Sequence, residues 1–266
     1  MMIRRLTGAL LPALLLTTAL FAQEGWETVP KPGDTDPFRP GEKAGPMPRA
    51  RDGKPDLSGI WQEHTLANWD IEKRRGEYGA PGSPGIVEGG QIPYQAAALA
   101  KRAELAKNLY NDPQSNPRSQ CQLPGVPRIT YMPYAFEIVE TPRAIHAEYE
   151  YMHAWRVFEF GRAGHPDGAQ TFDGDSVAHW DGDTLVVDVR GFNEKTWLDM
   201  AGDFHSDQLH VVERYTPIDA NTIWYEASIE DAKVYTRPWK LRLPLHRQAK
   251  NFELMEYDCD ALESNP

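Results

Sequence analysis

SVAHWDGDTLVVDVRGF, residues 176–192, decides how the rest of the chain is read. Ser176–Trp180 and Thr184–Phe192 are two β-prone runs, and Asp181-Gly182-Asp183 stands between them. Asp-Gly is a preferred hairpin turn because its central positions tolerate positive φ. In the second run Leu185, Val187 and Val189 share one face, and Val186, Asp188 and Arg190 share the other. A period of two with one apolar face describes a strand that is core on one side.

The same grammar extends outward. FEIVE (136–140) and AIHAEYEYMHAWRVFEF (144–160) are joined through Thr141-Pro142-Arg143. LHVVERYTP (209–217) and TIWYEASIE (222–230) are joined through Asp219-Ala220-Asn221. RPWKLRLPL (237–245) and FELMEYDC (252–259) complete the series, and LSGIWQ (57–62) precedes it. No helix separates these strands, which excludes parallel crossovers of the α/β kind. The expectation is a mainly β fold, an antiparallel meander closing into a lipocalin-like barrel or a strongly curved sheet. Gly59-x-Trp61 in the first strand agrees with it, since a Gly-x-Trp there is the lipocalin-type signature for closing one barrel end. One helix is expected, over about 94–110 (YQAAALAKRAELAKNLY), with Leu99, Ala103, Ala106 and Tyr110 on one face and Asn111-Asp112-Pro113 as its stop.

The ends differ from the middle. MMIRR followed by LTGALLPALLLTTALFA has the layout of a secretory signal peptide, with removal expected after Ala22. A Pro-rich extended arm occupies 23–56, and one barrel-like domain with the helical insertion occupies 57–266. The chain carries 28 Lys+Arg and 39 Asp+Glu, net −11, and loss of Arg4 and Arg5 with the leader takes it to −13. That charge disfavours nucleic acid and anionic membranes as partners. No stable membrane insertion is expected after cleavage, and the oligomeric state is open. Cys121 and Cys259 are the only cysteines, and an even count in an exported chain points to a disulfide. The alternative is two buried free thiols.

Between Phe192 and Leu209 the connection is far longer than a hairpin needs, and it is rich in groups that move protons or bind. Asp199 and His205, with Gly202 allowing a reversal between them, suggest a carboxylate orienting an imidazole as general base. Trp197 and Phe204 would form an apolar wall. Asp175, at a barrel mouth, with His179, Arg156 and His165 complete the expected ligand contacts. The acidic run 173–183 lacks calcium-loop spacing and is explained by turn chemistry, so no metal is expected. There is no nucleotide fingerprint and no G-x-S-x-G, so neither a cofactor nor a serine nucleophile is expected.

GKPDLSGIWQ (53–62), CQLPGVPR (121–128), GDSVAHWDGDTLVVDVRGFNEKTWLD (174–199) and HSDQLHVVERY (205–215) together resemble a large, mostly uncharacterised group of exported bacterial proteins. The resemblance runs from about Gly53 to Cys259 and implies export and a β-rich fold; it brings no reaction with it. Three functions follow. The first is a cofactor-independent acid–base enzyme (lyase, hydratase, isomerase or hydrolase) acting on a small sugar-derived or aromatic molecule. The second is a periplasmic lipocalin-like binding protein, and the third an envelope interaction protein that uses the Pro-rich arm.

Overall fold

In a computed structural model, residues 31, 44–72, 85–111, 116–166, 168 and 170–258 are described. The leader and Cys259 lie outside them. The elements run β1 (Gly59–Gln62), α1 (Ala96–Asn111), β2 (Phe136–Glu140), β3 (Ala144–Tyr149), β4 (Trp155–Phe160), β5 (Asp175–Asp181), β6 (Thr184–Arg190), β7 (His210–Asp219), β8 (Thr222–Glu230) and β9 (Trp239–Arg247). The strands pair in sequence order, and β1 pairs with β9, so the sheet is a closed barrel.

The barrel is mixed rather than purely antiparallel. Strands that alternate in direction around a ring close only if their number is even. Nine strands therefore require a parallel neighbour pair, and that pair is β4·β5, in register at Glu159↔Val177 and Phe160↔Ala178. The crossover between them carries no helix among its described residues.

Two expected strands fall elsewhere. Residues 144–160 split into β3 and β4 because Met152 and His153 take positive φ (55° and 48°) and reverse the chain. No glycine or Asn-Gly marks that turn in the sequence. Residues 252–258 form no strand, only the bridge Tyr151↔Tyr257. There the Met152 N–H donates to the Tyr257 carbonyl at 2.7 Å and the two tyrosine rings stack at 5.4 Å.

The inward faces meet in one core. Leu185, Val187, Val189, Ile223, Tyr225, Ala227 and Ile229 are fully buried, as the period of two predicts. Trp61 closes the ring at the β1·β9 join, donating its Nε1–H to the Leu57 carbonyl at 2.8 Å. Asp183, in the β5–β6 turn, holds Arg49 of the arm through two 2.7 Å bonds. The helix turns a different face to the barrel than expected: Ala98 is buried and Leu99 is 54% exposed. Pairing of Arg102 with Asp203 sets that rotation. Gly202 permits close approach, since a Cβ there would lie 3.2 Å from the Ala106 nitrogen. No helix among the described residues is long and apolar enough to cross a membrane.

Candidate functional site

The long connection after β6 is a packed plug. Trp197 and Phe204 bridge each other and are buried, so they belong to the core and form no open wall. Phe204 lies 6.1 Å from the Tyr94 ring, and Lys101 Nζ sits 4.3 Å above it. Asp199 and His205 do not form the expected dyad. Asp199 Oδ1 accepts the N–H groups of Ala201 (2.9 Å) and Asp203 (3.1 Å), and Oδ2 accepts that of Ile71 at 3.0 Å. It is a backbone clip for irregular chain, the usual answer to buried N–H groups outside a ladder.

His205 is equally committed. It lies 2.6 Å from Thr196 Oγ1 through Nε2 and 2.9 Å from the Ser206 carbonyl through Nδ1. A carbonyl only accepts, so Nδ1 carries the proton and Nε2 accepts from the threonine hydroxyl. Burial pushes the His205 value below that of an ordinary histidine, keeping it neutral. Neither nitrogen is offered to a substrate.

Asp203 accepts the Tyr94 hydroxyl at 2.8 Å and Arg102 Nε at 3.0 Å. Carboxylate oxygens of Asp70, Asp199 and Asp203 fall within 4.8 Å of one another. Burial, then repulsion from Asp203, holds the Asp199 carboxyl well above the usual range. Arg102 already brings a cation to this group.

His165 and Asp175, two of the expected contacts, do come together, on the outer face. His165 Nδ1 is 2.6 Å from Asp175 Oδ2, and its Nε2 is 2.7 Å from Asp188 Oδ1. Both partners are carboxylates, and the ring bridges them with one nitrogen to each. His210 Nε2 adds a 2.9 Å bond to Asp188, and Arg162 pairs with Asp175. Burial raises the Asp188 carboxyl, but bonds from His210 and His165 outweigh it, and the net shift is downward. His179 stands apart, exposed on the outer face of β5.

Arg156 points inward and is buried. Glu213 falls between the inward Val211 and Tyr215, and a buried acid in a barrel needs a cation. Arg156 Nη2 donates to Glu213 Oε2 at 2.5 Å and to Ser176 Oγ at 3.2 Å, and Nη1 to Glu213 Oε1 at 3.2 Å. Tyr215 and Tyr225 donate to the same Oε1 at 3.1 and 2.8 Å. The carboxylate is thus satisfied, yet its surroundings are not. Arg156 Nε, Tyr149 Oη, Thr130 Oγ1 and Asp173 Oδ1 are out of solvent and make no hydrogen bond of good geometry within the protein, with only weak contacts from Tyr149 to Arg156 and Thr130 and from Tyr215 to Thr130. Burial raises the Asp173 carboxyl to about 6, against the pull of Arg156 and with a push from Glu213. Buried polar groups are normally paired, and four poorly satisfied atoms around one ion pair have room in their bonding for a ligand or water.

Comparison with protein-family models, with curated proteins and with solved structures finds no match to this chain.

Proposed function

We propose that this is an exported protein whose barrel takes a small, neutral, hydroxylated molecule, sugar-derived or aromatic, among the buried polar groups around Arg156. The observation that carries the reading is the group of four buried atoms that make no good hydrogen bond within the protein. They offer a fixed donor (Arg156 Nε), an acceptor (Asp173 Oδ1) and two hydroxyls (Tyr149, Thr130), which matches the chemistry of a diol or phenol. Charge supports neutrality: Arg156 is already neutralised by Glu213, so an added ion of either sign would meet a buried like charge. Phe158, Tyr149 and Tyr215 supply aromatic walls, and Arg156 stacks 4.7 Å over Phe158.

A second reading, acid–base turnover at the same group, is favoured by Asp173, whose carboxyl near 6 suits proton transfer close to neutral pH. It moves the catalytic role away from His205 and Asp199.

Export is supported by the leader-like residues 1–22 and by the cysteines: none among the described residues is free. A Cys121–Cys259 bridge would close 138 residues, worth roughly 4–5 kcal/mol in the chain-entropy model. Thiol titration of the denatured, unreduced mature chain should find none. Function is tested by thermal-shift screening of neutral sugars, polyols and phenols beside charged analogues. Neutral members should raise the melting temperature, and a response confined to ions would refute the reading.

A further inference from the structure

The first half of β9 has a second neighbour besides β8. β1 reaches only His246 and Arg247, so the opening residues of the strand are left for another segment to cover. Residues 86–88 cover them. Val87 bridges Leu241, the Glu88 N–H donates to the Lys240 carbonyl at 2.8 Å, and the Arg242 N–H donates to the Ile86 carbonyl at 2.9 Å. The cover then ends abruptly. Gly89 and Gly90 take φ of 78° and 82°, successive left-handed positions that glycine adopts without strain, and the chain turns away. Between this turn, the start of β9 and Ser228 of β8 lies a cleft of about 390 Å³. It is on the outer wall of the barrel: Ser228 and Lys240 stand opposite each other across the β8·β9 ladder, on the face away from the buried Ala227 and Leu241.

The polar groups of this cleft are nearly all donors. The Lys240 ammonium, the Ser228 hydroxyl and the Gly89 N–H make no hydrogen bond or ion pair among the described residues. Arg237 gives one N–H to the Pro238 carbonyl at 3.1 Å and meets no carboxylate among the described residues. The one acid in the lining, Glu88, leans to Arg242 at 3.6 Å. The nearest outward acids of β8 stand level with other cations, Glu226 with Arg242 and Glu230 with His210. The chain carries 39 acidic against 28 basic residues, so two unpaired cations in one cleft run against its overall balance. Like charges brought together in a concave site draw an anion into it.

We infer that this cleft binds a small tetrahedral oxyanion, of the phosphate or sulfate class. The guanidinium of Arg237 offers a planar fork of donors and the ammonium of Lys240 a point charge with three more. The Ser228 hydroxyl and the Gly89 N–H add one each. Four oxygens around one centre meet such a spread of donors better than the two in-plane oxygens of a carboxylate. A free inorganic anion and a monoester present the same group, and the test separates them. The cleft shares no residue with the group around Arg156, so it is independent of the ligand proposed there.

The test is calorimetric titration of the mature chain at pH 7 and low ionic strength, in a buffer free of phosphate and sulfate. The probes are inorganic phosphate, sulfate, methyl phosphate and, as a dianion with planar groups, malonate. Phosphate or sulfate should bind, and more tightly than malonate. Lys240→Gln and Arg237→Gln should each weaken that binding about tenfold. Both side chains are exposed, so the melting temperature should hold. Lys195→Gln removes the same charge from an exposed site outside the cleft and should leave the affinity unchanged. Glu88→Gln removes the opposing carboxylate and should tighten binding about threefold, a gain that damage to the fold cannot mimic. Binding of methyl phosphate beside the inorganic anions supports an ester ligand, and binding of the inorganic anions alone supports a free one. The inference is overturned if none of them binds, if malonate binds as tightly, or if Lys195→Gln costs as much affinity as Lys240→Gln. A failed screen for neutral ligands leaves these readouts untouched, so the two proposals fail separately.

Discussion

The guanidinium of Arg247 lies 4.2 Å over the ring of Trp61, and through this pair the last strand locks onto the first. Arg247 Nε donates to the Ala220 carbonyl at 2.6 Å and Nη1 to the Ser58 carbonyl at 2.5 Å. Gly59 makes room: its φ is 124°, and a Cβ would stand 2.3 Å from Nη1. The Gly-x-Trp motif is thus half of a joint whose other half sits 186 residues later.

Gly59→Ala should cost about 1–3 kcal/mol. The arginine tip can swing aside, but the backbone angle cannot be relaxed without leaving the β1·β2 register. Chemical denaturation measures this, and a loss confined to a few tenths would show that the joint is not strained by a side chain.

Removing Glu213 alone should cost about 3–5 kcal/mol, because it strands Arg156 and the Tyr215 and Tyr225 hydroxyls in the core. The double variant Arg156→Met/Glu213→Leu should cost clearly less than the sum of the two single changes. A double-mutant cycle by urea denaturation reads the coupling directly; additive losses would mean the pair does not act as a unit.

His205→Ala should destabilise the fold by about 2–4 kcal/mol, since it empties a buried site and frees the Thr196 hydroxyl. The wild-type pH dependence has a definite sign. The folded value lies below the ordinary one, so the unfolded chain binds the proton more readily. This contribution to stability is complete above roughly pH 6.5 and shrinks as pH falls toward the folded value. Melting curves from pH 7.5 to 5 on both proteins should show that the acid-side loss attributable to His205 vanishes in the alanine variant.

Asp173 carries the opposite dependence. Its carboxyl is raised to about 6 by burial, so ionisation is harder in the folded state and stability falls as pH climbs from the ordinary carboxylate value through 6. Asp173→Asn should therefore gain melting temperature relative to wild type at pH 8 and gain little at pH 4. Equal effects at both values would show that the group titrates normally.

The period of two at 184–190 and 222–230 was enough to read a barrel or a strongly curved sheet, because those strands bury one face completely and leave Asp188, Arg190, Glu226 and Ser228 of the other at least partly exposed, although Val186 and Trp224 on that face are buried too. The parallel seam was not legible strand by strand, although a count of nine would have required it. The β3–β4 turn hid because Met152 and His153 adopt a conformation their identities do not advertise. The candidate site was legible in residue type and illegible in partnership. Asp199 and His205 are six residues apart, and nothing in that spacing distinguishes a dyad from two side chains each serving the loop backbone. Glu213 was visible as an acid on an inward face, and Arg156 as a cation in a strand; only the closed ring makes them neighbours.

If the buried polar groups beside Arg156 are shaped for a ligand, Tyr149→Phe must separate binding from stability. The change deletes a hydroxyl that makes only weak contacts, to Arg156 and Thr130, so the unliganded chain should keep its melting temperature to within a degree or two. The same change should abolish, or weaken at least about tenfold, the binding of whichever neutral hydroxylated compound stabilises the wild type. If binding by calorimetry is unchanged in Tyr149→Phe, or if no such compound binds the wild type, this group is not a ligand site.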